Sequence, residues 1–548
     1  MKKAVWPLVI IIILSFWALR PLFAPGFFAF HDDQQIARLF ELDRALRAGQ
    51  FPVRWVENLG FGLGYPLFNF YPPLVYYLGE VFHLIGFNFL DSIKLVWAVA
   101  ILGSGLAMYF LAKEFFGRWG GIAAALFYVY APYHTVDAYV RGALSELFAF
   151  VWLPLILLFS YKKKTVLTGL CLALLMLTHN LTFLPFLGFY AIWALVLDKK
   201  SLLVSIPVCF ALTAFFWMPA LYEKQFTLVD QILTKDLAAY SLHFVCPNQL
   251  WDSAWGFGAS LPGCIDGMPF KLGKLHLIVS GLALAAGLLK RYKISVLLFL
   301  FFVLSVFMTT EYSRFIWDVI PPLWYIQFPW RFLIFSSLFS SLLAGSIFIF
   351  IKNRFLSGFV LVVLVGLLFW TNLKLFQPRE YLPRVTSDQL TSDREIKWRV
   401  SSTSFEYLPK GIATKIQENG TTGVDITQSQ ISKLKYQIIS GDFGVNQQNF
   451  KPDRFRLTGA SLQGATLQFW ITNFPGWKVW VDAALAPFTD DNKYKLITVT
   501  IPPGNHEIMG KFTDTPTRMA GNFISIAAVG LLLLFAIKPM YGKFNTKV

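Results

Sequence analysis

Long runs of apolar residues, each about 18 or more residues in length, recur along most of this 548-residue chain. A helix of that length crosses the roughly 30 Å hydrocarbon core of a bilayer. The pattern predicts about twelve membrane-spanning helices, near 4–20, 93–114, 119–134, 145–161, 165–179, 182–197, 201–218, 275–290, 293–309, 329–351, 355–372 and 520–537. The predicted fold class is therefore a polytopic α-helical membrane protein.

The segment 72–86 (PPLVYYLGEVFHLIG) is short for a membrane span and carries Glu80 and His83, so it fits either a helix or a segment lying flat in the interface. Lys and Arg collect in short clusters at 162–164, 199–200, 290–293 and 352–354. The positive-inside rule places these clusters in the cytoplasm only if 72–86 does not cross the membrane. The interfacial interpretation is therefore favoured. It puts both termini in the cytoplasm and exports the segments 21–92, 135–144, 219–274, 310–328 and 373–519.

The segment 373–519 follows another pattern, in which short apolar runs alternate with polar residues, as in ATLQFWITNF and YKLITVTI. Turn residues follow these runs at 490–492 and 502–504. About 145 residues is the size of a domain. We predict an extracytoplasmic β-sandwich-like domain at 373–519, between a transmembrane module at 1–372 and a last helix with a cytoplasmic tail at 520–548.

Composition excludes a soluble globular protein, since 56% of the residues are hydrophobic. The formal net charge is +16, which by itself would suit a nucleic-acid-binding protein. The basic residues, however, lie in short clusters between apolar runs, and this is the positive-inside signature. We therefore expect a lipid bilayer as the partner of the chain and no nucleic acid.

The cysteines and the N-terminus give little further information about the class of the protein. Cys171 and Cys209 fall inside apolar runs and are predicted to be small core residues. Cys246 and Cys264 share one polar loop, and the sequence leaves open whether they form a disulfide there. The first twenty residues have a basic start and an apolar core without a small-x-small cleavage site, which favours an uncleaved first helix.

Within the first exported segment, the stretch 30–73 begins FHDDQQ, continues as a charged amphipathic segment that ends near Gly49, and closes with a Gly/Tyr/Pro/Phe-rich tail. One of Asp32 and Asp33 could simply cap the helix. A cap needs only one carboxylate, so the second is unexplained. We predict that Asp32 or Asp33 acts as a general base or as a metal ligand.

The second exported loop, YHTVDAYVRGALSE, carries His134, Asp137, Arg141 and Glu146 within about a dozen residues. Such charges at helix ends can simply reach towards the interface. An acid and an arginine on the same face as Asp32 would instead suit the chemistry of a phosphate-bearing substrate.

Two further polar residues lie at helix ends on the same predicted face of the membrane. His179 lies in LTHN at a helix end, and Arg331 lies in YIQFPWRFLIF at the start of a helix. A planar guanidinium pairs well with phosphate, although an aromatic belt with an interfacial arginine has the same pattern. We predict that Arg141, Arg331 and His179 bind a substrate phosphate.

Taken together, HDDQQ, GYPLFNFYPPL, YVRGALSE, LTHN and FPWRFL resemble the prokaryotic membrane proteins labelled "6-pyruvoyl-tetrahydropterin synthase-related". FPGWKVWVDA, IPPGNHEI and TPTRMAGNFIS are similar to the extracytoplasmic end of YfhO-type proteins. These proteins resemble a branch of the C-type glycosyltransferase (GT-C) superfamily, whose members use polyprenyl-phosphate sugars at the outer membrane face.

The resemblance implies a GT-C-like glycosyltransferase of the cytoplasmic membrane. It would move a sugar from a polyprenyl-phosphate donor to a glycan, lipid or protein acceptor. In that superfamily an acid of the first outer loop is catalytic or binds metal, and Asp32 and Asp33 occupy that place. Asp137 and Glu146 lie where a second acidic site is common. A single carboxylate base would invert the anomeric centre, and Mg²⁺ or Mn²⁺ on Asp32 and Asp33 is left open.

Two other classes of function compete with this one. A transporter or flippase for lipid-linked glycans predicts ionisable residues at mid-helix and broken, repeated helices. The predicted helices are nearly free of charge at mid-depth. An assembly or adhesion protein would need only an anchor, and about twelve helices exceed that need.

Overall fold

The computed structural model describes residues 5–235, 238–417, 421–430 and 435–544. The chain divides into two units. The first comprises Met1–Gln35, Val81–Cys209 and Ala238–Thr386, and the second comprises Ile36–Glu80, Phe210–Leu237 and Ser387–Val548. Helices dominate the chain, and most strands lie in its C-terminal region.

Within the described ranges, six helical segments are long and apolar enough to cross a membrane: Phe89–Val129, Leu144–Tyr161, Asn180–Leu197, Pro329–Phe350, Arg354–Leu375 and Pro516–Leu534. Three bent pairs pass the same test together, namely Trp6–Leu14 with Phe16–Phe23, Lys199–Leu212 with Ala214–Phe226, and Lys293–Phe307 with Glu311–Val319. They bend by 42°, 71° and 93°, and counting each as one span gives up to nine. The prediction of several apolar helices is confirmed, whereas the number of about twelve is not.

The other helices are shorter. The longer ones are Gln35–Arg47, Leu74–Leu84, Thr165–Thr178 and Lys274–Leu289, and the short ones are Leu67–Phe70, Pro132–Thr135, Val229–Ile232, Pro247–Trp251, Ser387–Leu390 and Ser401–Thr403. Single π turns lie at Val136–Arg141 and Glu395–Val400, and 3₁₀ turns at Tyr240–Leu242, Pro321–Ile326 and Gln428–Gln430. At 11 residues, Leu74–Leu84 is too short to cross a bilayer by itself. The Pro516–Leu534 span belongs to a helix that continues to Phe544.

The Phe89–Val129 helix is interrupted at Gly117, whose φ of 70° and ψ of −173° are not helical. Only glycine adopts this backbone conformation readily. The break lies between the predicted spans 93–114 and 119–134, so the sequence placed that boundary correctly.

The core of the first unit surrounds the Leu333–Ser346 helix, in which all 14 residues are buried. It packs against Phe89–Val129, Lys293–Phe307 and Lys274–Leu289. Its serine hydroxyls donate to carbonyls of their own helix, as Ser341 does to Ser337 at 2.6 Å. A buried apolar setting requires such internal partners for polar groups.

The strands are β1 (Phe27–Phe28), β2 (Tyr381–Leu382), β3 (Thr414–Ile416), β4 (Thr422–Val424), β5 (Tyr436–Gly441), β6 (Gly444–Lys451), β7 (Arg454–Ser461), β8 (Ala465–Thr472), β9 (Trp477–Val481), β10 (Ala484–Ala486), β11 (Leu496–Ile501) and β12 (Gly504–Phe512). In the first unit, β1 pairs with β2. In the second unit, a five-stranded sheet has the order β10-β9-β12-β7-β6, a three-stranded sheet has the order β11-β8-β5, and β3 pairs with β4. All pairs are antiparallel.

Alternation along the strands separates a buried face from an exposed one. On β7, Phe455 and Leu457 are buried, whereas Arg454 and Arg456 are more exposed. The Phe455 ring stacks on Phe469 of β8, with 4.1 Å between ring centroids, and so joins the two larger sheets. The predicted β-rich C-terminal region is confirmed, and its apolar alternation produces the core between the sheets.

Candidate functional site

The loop that carries Asp32 is bonded to the π turn Val136–Arg141 through its backbone. The Asp32 amide donates to the Arg141 carbonyl at 2.7 Å. The Gln35 side-chain amide donates to the carbonyls of both Asp32 and Gly142 at 3.0 Å. The first and second loops singled out in the sequence therefore meet directly.

Gly142 makes this contact possible. It ends the π turn with a φ of 69°, in the left-handed region. A Cβ atom at this position would lie 1.9 Å from the Phe30 ring. Phe30 also packs on Trp97, with 5.5 Å between ring centroids. The absence of a side chain at Gly142 thus lets Phe30, two residues before Asp32, pack against the turn.

Arg141 is the centre of a buried charge cluster. Its Nη1 donates to Asp137 Oδ1 at 2.5 Å and to Glu146 Oε2 at 2.7 Å. The Tyr133 hydroxyl donates to Glu146 Oε1 at 2.7 Å. Both carboxylates are fully buried and the Arg141 side chain is 7% exposed. Buried charges are tolerated when paired and hydrogen-bonded in this way.

Arg331 approaches the same glutamate from the start of the Leu333–Ser346 helix. Its Nε lies 3.5 Å from Glu146 Oε2, and its Nη1 donates to the Ile326 carbonyl at 2.6 Å. Between the arginines lies Trp330, whose ring centroid is 4.7 Å from the Arg141 guanidinium. Glu146 therefore lies between two cations that an indole ring helps to orient.

Asp32 is the accessible carboxylate of this site. Its side chain is 51% exposed, and its Oδ2 lies 4.0 Å from Arg141 Nη2. Asp33 beside it is half-buried. Asp32 is therefore open to solvent, whereas the Asp137 and Glu146 carboxylates are not.

Both arginines retain donor groups that bind no acceptor in the described part of the protein. Among the described residues, the hydrogen bonds of the Arg141 and Arg331 side chains all come from Nη1. The Nη2 groups are therefore unused by hydrogen bonds, and that of Arg141 faces Asp32. Guanidinium N–H groups of this kind bind phosphate oxygens well.

The protonation of Asp137 alters the charge of the cluster. Burial and the neighbouring Glu146 carboxylate raise the pKa of Asp137 well above its usual value, and Arg141 only partly opposes them. Its Oδ2 is buried without a hydrogen-bond partner in the part of the chain that the structure describes. A raised pKa shifts Asp137 towards its neutral form, which lowers the negative charge of the cluster.

The two histidines differ. His179 is buried, within 2.7 Å of the Thr182 hydroxyl, and close enough for the Glu146 charge to act on it. His134 instead stacks on Phe150, with 4.3 Å between ring centroids. The structure thus groups Asp32, Asp137, Arg141, Glu146 and Arg331, with His179 near them, whereas His134 packs among aromatic rings.

Sequence reasoning overlooked Tyr133 and Trp330 as members of the site. Both lie in segments that it singled out, directly before His134 and Arg331. A buried tyrosine hydroxyl or an aromatic face beside a charged residue is the signal that could have found them, since both usually need a polar or cationic partner.

No group of three or more His, Cys, Asp or Glu side chains that could hold a metal ion occurs among the described residues. Asp32 and Asp33 are adjacent carboxylates. Mg²⁺ is commonly held by one or two carboxylates together with substrate phosphates and water. A divalent ion on Asp32 and Asp33 therefore stays a prediction.

No family model and no curated protein sequence matches the chain. Among solved structures, the Archaeoglobus fulgidus oligosaccharyltransferase in its apo form is similar, with 13% identity and a TM-score of 0.44 over 68% of this chain and 56% of that one. The mycobacterial arabinofuranosyltransferase AftD is similar with 14% identity and a TM-score of 0.40 over 70% of this chain and 28% of that one. The chain thus spans about half of the first protein and about a quarter of the second. Both TM-scores are below 0.5.

Proposed function

We propose that the chain is a membrane glycosyltransferase, which transfers a sugar from a polyprenyl-phosphate-linked donor to an acceptor at the outer face of the cytoplasmic membrane. The observation that carries the proposal is the half-exposed Asp32 carboxylate, 4.0 Å from an Arg141 Nη2 group that makes no hydrogen bond to the described protein. A carboxylate base beside guanidinium donors suits attack by a hydroxyl on a carbon whose leaving group is a phosphate. The resemblance of the loop motifs to GT-C proteins agrees with this reaction.

In the proposed reaction, Asp32 accepts the proton of the acceptor hydroxyl while the hydroxyl oxygen attacks C1 of the sugar. The bond between C1 and the phosphate oxygen breaks, and its electron pair goes to the phosphate. The products are the new glycoside and the polyprenyl phosphate. Because a single displacement attacks C1 from the side opposite the leaving group, the anomeric centre is inverted. Phosphate is a good leaving group and needs no general acid.

The arginines would stabilise the leaving phosphate. Arg141 and Arg331 each offer an Nη2 group, and Glu146 between them fixes both guanidinium groups in place. Their Nη2 groups would donate to the oxygens of the incoming phosphate. His179 would line the same region. Glu146 and Asp137 are then positioning residues, buried beneath the reacting atoms.

Binding of a divalent ion is the alternative role for Asp32 and Asp33. Mg²⁺ or Mn²⁺ on Asp32 and Asp33 would supply charge stabilisation for the donor phosphate. In that case Asp33 shares the binding of the ion, and removal of the ion by EDTA should abolish transfer.

The first prediction concerns Asp32. We expect Asp32→Asn to lower sugar transfer by about 10²–10⁴-fold, because the substitution removes a general base. The measurement follows consumption of radiolabelled polyprenyl-phosphate sugars by the full chain in nanodiscs, with a cell-membrane extract as the source of acceptors. Asp252→Asn is the matched control, since Asp252 is 53% exposed and pairs with Lys274 instead. We expect this control to transfer at the wild-type rate.

The possible results distinguish the proposed roles of Asp32 and of the protein. If Asp32→Asn transfers at the wild-type rate, Asp32 is not the base. Loss in Asp33→Asn together with EDTA sensitivity would assign the pair to a metal. If the wild type consumes no donor of a broad panel, the transferase proposal is wrong and a transport role gains support.

A further inference from the structure

The exposed face of the five-stranded sheet carries a row of four basic residues. Lys451 on β6 lies opposite Arg454 on β7, which lies opposite Lys511 on β12, which in turn lies opposite Lys478 on β9. Side chains opposed in this way have Cβ atoms about 4.5–5.5 Å apart, where like charges repel. This set, called the basic row below, is unfavourable in the absence of a counter-charge.

Little of that charge is neutralised by the protein. Lys451, Lys478 and Lys511 form no ion pair with any acid among the described residues. Arg454 forms an ion pair, with its Nε 3.3 Å from Asp453 Oδ1, and its Nη2 also donates to the Ala48 carbonyl. The three lysines are exposed. Four adjacent cations therefore share one acidic partner.

A second row runs beside the first and has a different chemistry. Asn449, Arg456, Met509 and Trp480 lie opposite one another on the same four strands. Glu507 already neutralises Arg456. This row therefore contributes an amide, a paired guanidinium and the apolar surfaces of a thioether and an indole.

Seven of the eight residues of the two rows line one concave surface, and Lys478 lies outside it. A cavity of about 520 Å³ is bounded by residues of both, among them Lys451, Arg454, Lys511 and Trp480. Ligand sites usually combine apolar and aromatic side chains with a few polar groups. Strands about 4.8 Å apart make the basic row about 14 Å long, enough for a short oligosaccharide.

We propose that this face binds an anionic glycan, a sugar chain that carries carboxylate or phosphate groups. The basic row supplies counter-charges at regular spacing for its anionic groups. The half-buried Trp480 offers a flat apolar surface for the C–H face of a sugar ring, and Asn449 can bond its hydroxyls. A concave surface with the Trp480 indole beside it favours this ligand over a flat membrane surface. The site is independent of Asp32 and of the transferase proposed above.

The test measures binding of the full chain, in phosphatidylcholine nanodiscs, to a hexamer of galacturonic acid and to its methyl ester. The ester has the same sugars without the charges, so we expect it to bind at least about tenfold more weakly. The double variant Lys451→Gln/Lys511→Gln should weaken binding of the acid about tenfold, since each exposed charge contact contributes modestly. The matched control, Lys410→Gln/Lys415→Gln, removes two exposed lysines elsewhere in the same unit and should bind like wild type.

Trp480→Leu separates stacking from charge. It should weaken the acid and the ester by the same factor, about three- to tenfold, because the ring contact does not depend on charge. Thermal unfolding of each variant checks its fold. Asp32→Asn should keep full binding of the hexamer, so that loss of transfer and loss of binding are separable.

Two results would overturn the proposal. One is equal binding of the acid and the ester with no effect of the double variant. The other is binding of phosphatidylglycerol vesicles through Lys451 and Lys511 without competition from the hexamer, which would make the face a lipid contact.

Discussion

Each of the two units contains a buried charged residue that is held by partners of opposite charge. In the first unit Glu146 has hydrogen bonds from Arg141 and Tyr133 and lies 3.5 Å from Arg331 Nε. In the second, Arg518 is fully buried and its Nη2 donates to Glu223 at 2.8 Å. Such residues tolerate burial only as pairs, because a lone charge in an apolar interior costs several kcal/mol.

The second prediction concerns the buried charge of Glu146. Glu146→Gln keeps the shape of the side chain and removes the charge between two arginines. We expect it to lower the free energy of unfolding by about 3–5 kcal/mol. Thermal unfolding of the purified protein in one detergent measures the change.

Glu114→Gln is its control, because Glu114 is 33% exposed and pairs with Lys162 at 2.7 Å. An exposed pair contributes about 0–1 kcal/mol, so this variant should unfold close to wild type. Equal losses in the two variants would show that burial does not govern the contribution of Glu146.

At the scale of elements, the site is made by two short segments that the sequence singled out separately. The π turn Val136–Arg141 and the loop before Gln35 are joined by backbone hydrogen bonds, and Gly142 lets them approach. Single π turns are frequent at functional sites. The segments were visible as motifs, whereas their contact depends on a backbone geometry that no residue pattern predicts.

The third prediction tests this contact. In Gly142→Ala the new Cβ meets the Phe30 ring at 1.9 Å, so the loop carrying Asp32 must shift. A displacement of about 1 Å at reacting groups can cost 10²-fold, and we expect a transfer loss of that order per folded molecule.

Gly117→Ala is the matched control. Gly117 has the same positive φ, 70°, but a Cβ there meets nothing within 4 Å. This variant should lose stability through backbone strain and keep its transfer rate. If both variants lose transfer equally, displacement of the Phe30–Asp32 segment is not the cause.

At the scale of the whole molecule, the positions of the Lys and Arg clusters predict which segments are exported. The chemistry of the cysteines can test this prediction. Cys246 and Cys264 form a disulfide with 5.6 Å between Cα atoms, whereas Cys171 and Cys209 are buried. Disulfides persist in oxidising compartments. The pairing agrees with the prediction that 219–274 lies outside, and that location, like the domain boundaries at 372 and 519, stays a prediction.

The fourth prediction uses this pair. In the protein purified from membranes and unfolded without reductant, we expect an alkylating reagent to label Cys171 and Cys209 only. Labelling of Cys246 and Cys264 should require prior reduction, and mass spectrometry distinguishes the four sites. Labelling of Cys246 and Cys264 without reductant would contradict an oxidising location for their loop.

The sequence by itself determined the class of the protein, the β-rich C-terminal region and the break near Gly117, since apolar periodicity and run length are local properties. It also singled out Asp32, Asp137, Arg141, Glu146 and Arg331. What only tertiary structure decided is that these residues meet, and that Asp32 alone among the three acids is exposed. The basic row was likewise hidden, because cross-strand register pairs residues up to 57 positions apart. Contacts between distant segments depend on packing and register, and a linear pattern of residue types does not encode those directly.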